Sequence, residues 1–314
     1  MAEADRVKGV NGKGQTPLPG SEAFALASPA GAESVGGVKT CRFAVALLGL
    51  TLAGSILAAA QPSQPSQPSL PPAPAVKVSE WHGYSRLDFE VAGRPCLLIV
   101  PKSPAPRNPW IWRTEFFEHE PQADLALLAL GWHVAYMDAR DMYGAPRAMV
   151  LFGQFYAHLV SRYELAKRVV LEGLSRGGLY AFNFAASHPT RVAALYLDGA
   201  VLDIKSWPGR RRDSKEWKEC LEAYGLTEET LVGFKRNPID RVPQVAGGKI
   251  PILAISGDAD ESVPFEENTA LLEKRYKAQG GLIEVIVKPG GKHHPHSLKD
   301  PAPIVDFIIK HARF

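Results

Sequence analysis

The sequence predicts an α/β fold: a doubly wound, mostly parallel sheet with a small helical cap insertion. Three observations carry this. From about residue 76 onward, short apolar runs rich in β-branched residues alternate with stretches whose apolar positions recur at helical spacing. Glycine, proline and aspartate punctuate the boundaries. Runs such as RVVLEGL and PILAIS stay apolar on nearly every residue, as strands covered on both faces require.

Each element can be justified in order. SRLDFEVAG alternates as a half-buried strand does, and after the Gly93-Arg94-Pro95 turn CLLIVP follows as a buried strand, so the two suit a hairpin. QADLALLAL reads as a helix ended by Gly131, WHVAYMDA as a buried strand, and AMVLFGQFYAHLVSRYEL as a long amphipathic helix. RVVLEGL is a strand, and RGGLYAFNFAASHP is a helix stopped at Pro189. VAALYLDGA and PILAISGD are strands, NTALLEKRYKAQGG is a helix closed by glycine, LIEVIVKP is a strand, and PAPIVDFIIKHARF is a final helix. Residues 201–247 break the rhythm with SWPGRRRDSKEWKECLEAYGLTEETLVGFKRNP, too long for a bare connection, and read as an insertion over the site edge. Right-handed crossovers would align the strand C-termini along one edge, where sites in such sheets lie.

Residues 1–75 read differently. KTCR and then FAVALLGLTLAGSILAAA have the layout of a secretory signal: a basic flank at Lys39 and Arg42, an apolar stretch, and small residues Ala58-Ala59-Ala60 before Gln61. An uncleaved membrane anchor over residues 43–60 is the alternative. The expectation is export to the periplasm or outside the cell, with translation starting at Val38 as one explanation of the long upstream stretch. Residues 61–75, QPSQPSQPSLPPAPA, form a Pro/Ser/Gln linker that supports neither helix nor ladder. The expected organisation is therefore an extension with its export segment at 1–60, a linker at 61–75, and one folded body at 76–314.

Composition narrows the function. The chain has 314 residues, 46% hydrophobic and 22% charged, with a net charge of +3 and one local basic run at Arg210, Arg211 and Arg212. That is a globular composition without the basic stripe that tracks a phosphate backbone, so nucleic acid is not an expected partner. The cysteines, Cys41, Cys96 and Cys220, match no zinc spacing, and a Cys96–Cys220 disulfide is left open.

Chemistry concentrates at three strand ends. RVVLEGL runs straight into Gly173-Leu174-Ser175-Arg176-Gly177, and a helix begins at once: a G-x-S-x-G turn that exposes a serine at the sheet edge. Glycines suit it because a turn this sharp presses Gly173 and Gly177 against neighbouring backbone. A serine hydroxyl is a poor nucleophile without a base and a group to orient that base. GDADESVP supplies Asp258 and Asp260 after the next strand but one, and KPGGKHHPHSL supplies His293, His294 and His296 after the following strand. The chain order Ser, Asp, His is the one such hydrolases use. A metal reading of the histidines is disfavoured, since neighbouring histidines in extended chain point apart and no H-E-x-x-H pattern accompanies them.

On GLSRGG, GDADESVP and PGGKHHPHSL, the body from about residue 80 resembles the α/β-hydrolase superfamily, specifically its secreted bacterial prolyl-oligopeptidase-like or esterase-like branch. The resemblance implies Asp260 as the orienting carboxylate, with Asp258 the fallback and Asp198 or Asp203 the less favoured positions. It implies His293 as the base with His294 the runner-up, although Lys292 stands where the family has glycine; His296 would brace the loop. Oxyanion donors would be the backbone N–H of Arg176 and one from the loop after CLLIVP, for which Trp110 is the candidate, the family's HG dipeptide being absent there. Trp110, Trp112, Tyr143, Trp207 and Trp217 fit either a substrate platform or the core. The expected function is an exported serine hydrolase of a small or polysaccharide-linked carboxylic ester, working without cofactor or metal. A serine peptidase and a non-catalytic binding protein on the same scaffold are the alternatives.

Overall fold

The computed structural model describes residues 76–314. The expected export segment, the linker and Cys41 lie outside the described residues. In chain order the strands and helices are β1 Lys77–Trp81, β2 Tyr84–Val91, β3 Arg94–Val100, β4 Trp110–Arg113, α1 Gln122–Ala129, β5 His133–Met137, α2 Pro146–Arg162, β6 Val169–Leu174, α3 Gly177–Ser187 and β7 Val192–Asp198. There follow α4 Lys215–Tyr224, α5 Glu228–Leu231, α6 Val242–Gly247, β8 Ile252–Gly257, α7 Thr269–Ala278, β9 Ile283–Lys288 and α8 Ala302–His311.

Nine strands form one sheet in the order β1-β2-β3-β5-β4-β6-β7-β8-β9. β1, β2, β3 and β5 pair antiparallel in succession, and every pairing from β5 through β4 to β9 is parallel. The expected hairpin is β2 with β3, registered as Phe89 opposite Cys96. The sheet separates two cores. One, on the side of α2, α3, α6 and α7, holds Trp110, Trp112, Phe152, Phe155 and Phe184; the other, on the side of α1 and α8, holds Ile111, Val170, Leu253 and Ile308. Successive residues of β4 thus alternate between the cores, as the twofold period of a strand demands.

β4 is the element the sequence did not announce. WIWR is only four residues long and lies behind a proline, yet it sits between β5 and β6 at the centre of the parallel sheet. Its aromatic content fixes it there: Trp112 packs on Trp110 at 5.9 Å between ring centroids and on Phe152 at 4.5 Å. Each such side chain removes some 150–250 Å² from water, an upper bound of about 4–6 kcal/mol at 25 cal/mol per Å².

At the carboxyl end of β4, Arg113 is fully buried and paired with the equally buried Asp124 of α1. It also lies 3.6 Å from Glu172 of β6 and donates to the carbonyl of His119 at 2.6 Å. Those carboxylates hold the Arg113 guanidinium well above its usual range even though burial opposes its charge. The arginine thereby ties down the chain that leaves β4.

Residues 201–247 fold into α4, α5 and α6 beside the sheet, where α4 buries Trp217 and Cys220 in the core that also contains Tyr143. Tyr224 donates to the carbonyl of Tyr143 at 2.9 Å. The α4 stripe is apolar and must be buried, and the face available to it is the flank of α2 and α3. Cys96 and Cys220 are free, buried thiols, each pushed up to about 12 mainly by burial. Among the described residues no helix is long and apolar enough to cross a membrane.

Candidate active site

The carboxyl ends of β4, β6, β7, β8 and β9 converge on Ser175. β6 ends at Leu174 and α3 begins at Gly177, so Ser175 occupies the apex of the turn with φ at +49°. That region is costly for a residue with a Cβ, by roughly 1–3 kcal/mol, and persists only where surroundings enforce it. They do so here: Ser175 N–H donates to the Asp198 carbonyl at 2.9 Å, and its own carbonyl accepts from Gly178 at 3.0 Å and Val201 at 2.8 Å. The closest approach in the turn falls on Gly178, where a Cβ would come within 2.6 Å of the Ala200 methyl.

Ser175 Oγ lies 2.9 Å from His293 Nε2, and His293 Nδ1 lies 2.7 Å from Asp260 Oδ2. The other Asp260 oxygen accepts N–H groups from Ser262 at 2.9 Å and Val263 at 2.8 Å. Burial alone would raise the Asp260 carboxyl, but the His293 hydrogen bond and the two amides outweigh it and hold Asp260 below the usual aspartate range. Asp258, the fallback acid, instead accepts from Gly290 N–H at 2.6 Å and staples the β8 turn to the histidine loop. That loop presses close: a Cβ on Gly257 would fall 2.1 Å from the Gly291 carbonyl oxygen. Lys292 does not take a positive φ, so the position where the resemblance implied glycine accommodates lysine; Gly290 makes the left-handed turn at +65°.

The other sequence candidates take separate places. Asp203 accepts the Lys205 N–H within its own turn, at 2.8 Å. Asp198, at the end of β7, accepts from His296 Nδ1 at 3.0 Å and from Ser297 N–H at 2.8 Å. His296 is buried and His294 exposed beside it. Arg176 directly follows the serine at the start of α3, where its N–H is one of those with no partner inside the helix.

Trp110 cannot be an oxyanion donor. It is the first residue of β4, paired with His133 at the start of β5, which puts it at the opposite end of the parallel strands from Ser175. Its indole N–H donates to the buried Ala166 carbonyl at 2.9 Å. The chain that does pass the serine is Thr114-Glu115-Phe116: a Cβ on Gly177 would lie 3.1 Å from Thr114 Oγ1 and 3.6 Å from Glu115 N. Thr114 N–H is already committed to the Glu172 carbonyl at 3.0 Å.

A cavity of about 730 Å³ opens at Ser175, lined by Glu115, Phe116, Phe117, His119, Tyr136 and Arg176 among others. None of the five aromatic residues marked from sequence lines it; Trp110, Trp112, Tyr143 and Trp217 are core residues. The aromatic wall comes from Phe116 and Phe117 in the loop after β4 and from Tyr136 of β5, and its signal in the sequence is the adjacent Phe116-Phe117 pair. Glu115 is buried against Arg176, 3.4 Å between Oε2 and the guanidinium. Burial pushes its carboxyl up, and Arg176 offsets this only in part.

Residues 154–313 match the prolyl oligopeptidase family, just over half of the chain. Among curated proteins, the acylamino-acid-releasing enzyme of Rattus norvegicus is 26% identical over 180 residues, covering 54% of this chain and 22% of that protein. An α/β-hydrolase domain-containing protein of Arabidopsis thaliana is 27% identical over 138 residues, 43% of this chain and 44% of that one. The chain therefore spans less than half the length of these relatives. Among solved structures, Pyrococcus horikoshii acylaminoacyl peptidase superposes with a TM-score of 0.54 at 14% identity, over 76% of this chain and 42% of that one. A cold-adapted esterase from an Arctic intertidal metagenomic library superposes with a TM-score of 0.52 at 14% identity, over 76% of this chain and 98% of that one. At such identities the likeness is one of fold, and the fold is the α/β-hydrolase fold. With a G-x-S-x-G turn at a strand end and a family match running from α2 through α8, the chain belongs to the prolyl oligopeptidase family of serine hydrolases.

Proposed function

We propose that the protein is an acyl-transferring serine hydrolase whose substrates include amide bonds of the peptide or acylamino-acid kind. The observation that carries the chemistry is the continuous line Asp260–His293–Ser175, with hydrogen bonds of 2.7 and 2.9 Å, ending on a serine held at positive φ. In this reading Ser175 Oγ attacks the substrate carbonyl while His293 Nε2 takes its proton. The oxyanion forms against the Arg176 N–H and a backbone N–H of the Glu115–Phe116 segment. His293 then returns the proton to the leaving amine or alcohol, leaving an acyl-Ser175 ester that water cleaves with the same imidazole as base. Asp260 holds the imidazole with Nδ1 protonated and stabilises the imidazolium, without itself taking the proton.

Peptidase chemistry is supported by the family matched and by the acylamino-acid-releasing relatives. A carboxylic ester substrate is the second reading, favoured by the esterase whose chain is covered almost entirely. The test is labelling with a fluorophosphonate, mapping of the adduct, and then assay of one acyl group presented both as an ester and as an anilide. Adduct on Ser175 with turnover of the anilide supports the proposal. Turnover of the ester alone moves the assignment to the second reading, and a folded protein that resists labelling is a binding scaffold.

A further inference from the structure

His293, His294 and His296 each offer one ring nitrogen, and these nitrogens lie within 4.8 Å of one another. Their rings meet edge to face at centroid separations of 4.8 to 4.9 Å. His119, from the loop after β4, closes the group at 5.6 Å from His294 and 6.0 Å from His296.

Two of the imidazoles are built alike. His293 Nδ1 is held by Asp260 and His296 Nδ1 by Asp198. A carboxylate on Nδ1 fixes the N–H there and leaves the lone pair on Nε2, the arrangement that orients metal-binding histidines and raises their basicity. The His293 lone pair is occupied by Ser175. The His296 lone pair is not: its Nε2 is buried without a partner, on a residue 3% exposed that lines the cavity. An unpaired buried nitrogen carries an uncompensated desolvation cost, and nothing in the acyl-transfer scheme uses it.

We propose that His294 and His296 bind a borderline transition-metal dication such as zinc, drawing in His293 as third ligand at the expense of its hydrogen bond to Ser175. An all-imidazole donor set suits zinc, copper or nickel and not magnesium or calcium. Zinc–nitrogen bonds of about 2.0–2.1 Å in a tetrahedron place ligand nitrogens about 3.3 Å apart. The cluster must therefore contract, and exposed His294 is free to swing inward. Asp198 and Asp260 stand behind the rings as counter-charge; Lys288, 3.5 Å from Asp198, and Arg176, in the same cavity lining, are cations that oppose it. A metal on His293 Nε2 takes the lone pair that would accept the Ser175 proton, so occupancy switches off the hydrolase. That consequence rests on the function proposed above; the binding does not.

The test titrates chelator-stripped protein with cobalt(II), whose visible absorption reports tetrahedral nitrogen ligation, and with zinc(II) against a chromophoric chelator. Both the unaltered protein and Ser175→Ala are used. One metal per chain is expected in each, bound at least as tightly in Ser175→Ala because the competing hydroxyl is gone. His294→Gln and His296→Gln should each weaken binding by roughly tenfold or more. His294 is exposed, so its replacement keeps the result interpretable should His296→Gln misfold. Absence of the cobalt spectrum, or affinity indifferent to His294→Gln, overturns the proposal. A chain that binds metal here yet, once stripped of it, labels with no fluorophosphonate supports the site and overturns the hydrolase reading; a chain that hydrolyses substrate but takes up no metal does the reverse.

Discussion

The ends of β7 and β8 carry two aspartate–histidine pairs that are chemically near twins. Asp198 accepts from His296 Nδ1, from Ser297 N–H at 2.8 Å and from the Tyr196 hydroxyl at 3.2 Å. Asp260 accepts from His293 Nδ1 and from two backbone amides. Both carboxylates are buried, and both imidazoles come from the loop after β9. Only His293 touches Ser175. The difference lies in what stands opposite Nε2, so a carboxylate-bound histidine is no signature of catalysis until its second nitrogen is followed to its partner.

The comparison is broken most severely at the serine. Ser175→Ala and His293→Ala are each expected to lower turnover by about a million-fold, measured on the substrate found active, and the double variant should be scarcely worse. If His296→Ala is as damaging, the two pairs are not functionally distinct. Next, Asp260→Asn should cost roughly ten-thousand-fold in kcat by leaving His293 in the wrong tautomer. Asp198→Asn should reduce kcat far less while lowering stability by about 1–3 kcal/mol in denaturant unfolding, because a buried donor loses its acceptor.

A third buried carboxylate site sharpens the contrast, because its partner is permanently charged. Removing the guanidinium in Arg113→Met leaves Asp124 and Glu172 uncompensated and should cost about 3–5 kcal/mol, read from the denaturant midpoint. The smallest effects are pH-dependent and opposite in sign. Asp260 is depressed in the folded protein, so the stability it contributes is present above its unfolded value of about 3.9 and is lost as pH falls through its folded value. Asp260→Asn should therefore destabilise at neutral pH and converge with the unaltered protein in acid. Glu115 is raised, so the folded state favours its protonated form and stability declines as pH rises from about 4.3 through the folded value. Glu115→Gln should stabilise at neutral pH and converge in acid, as thermal melts across that range would show.

Much of this was legible in the chain. Apolar periodicity located all but two of the strands and the helices flanking the sheet, because burial on two faces leaves an unbroken apolar run that local reading detects. β1 escaped because an edge strand is half solvated: Lys77 to Glu80 are exposed. β4 escaped because four residues are too few to show a period, and its pairing with β5 and β6 is wholly non-local. Trp110 falls in the expected oxyanion loop for the same reason, since a strand taken for a loop brings its first residue to the wrong end of the sheet. The insertion was recognised by length and composition, but where it packs depends on the flank of α2 and α3.

The sequence by itself determined the G-x-S-x-G turn, the order Ser, Asp, His, and the strand ends on which they stand, since each is a property of a few consecutive residues and the secondary structure around them. The motifs favoured His293 and Asp260 and left His294, Asp258 and Asp198 open; the tertiary structure brings His293 onto Ser175 and Asp260 behind it, and pairs Asp198 with His296 instead. Asp198 ends β7, registered opposite Ile255 of the neighbouring β8, and Asp260 lies in the turn after β8; His293 and His296 differ only by where a single loop turns. Such separations between segments far apart in the chain are set on the angstrom scale by strand register and loop docking, which a local motif can point to but cannot measure.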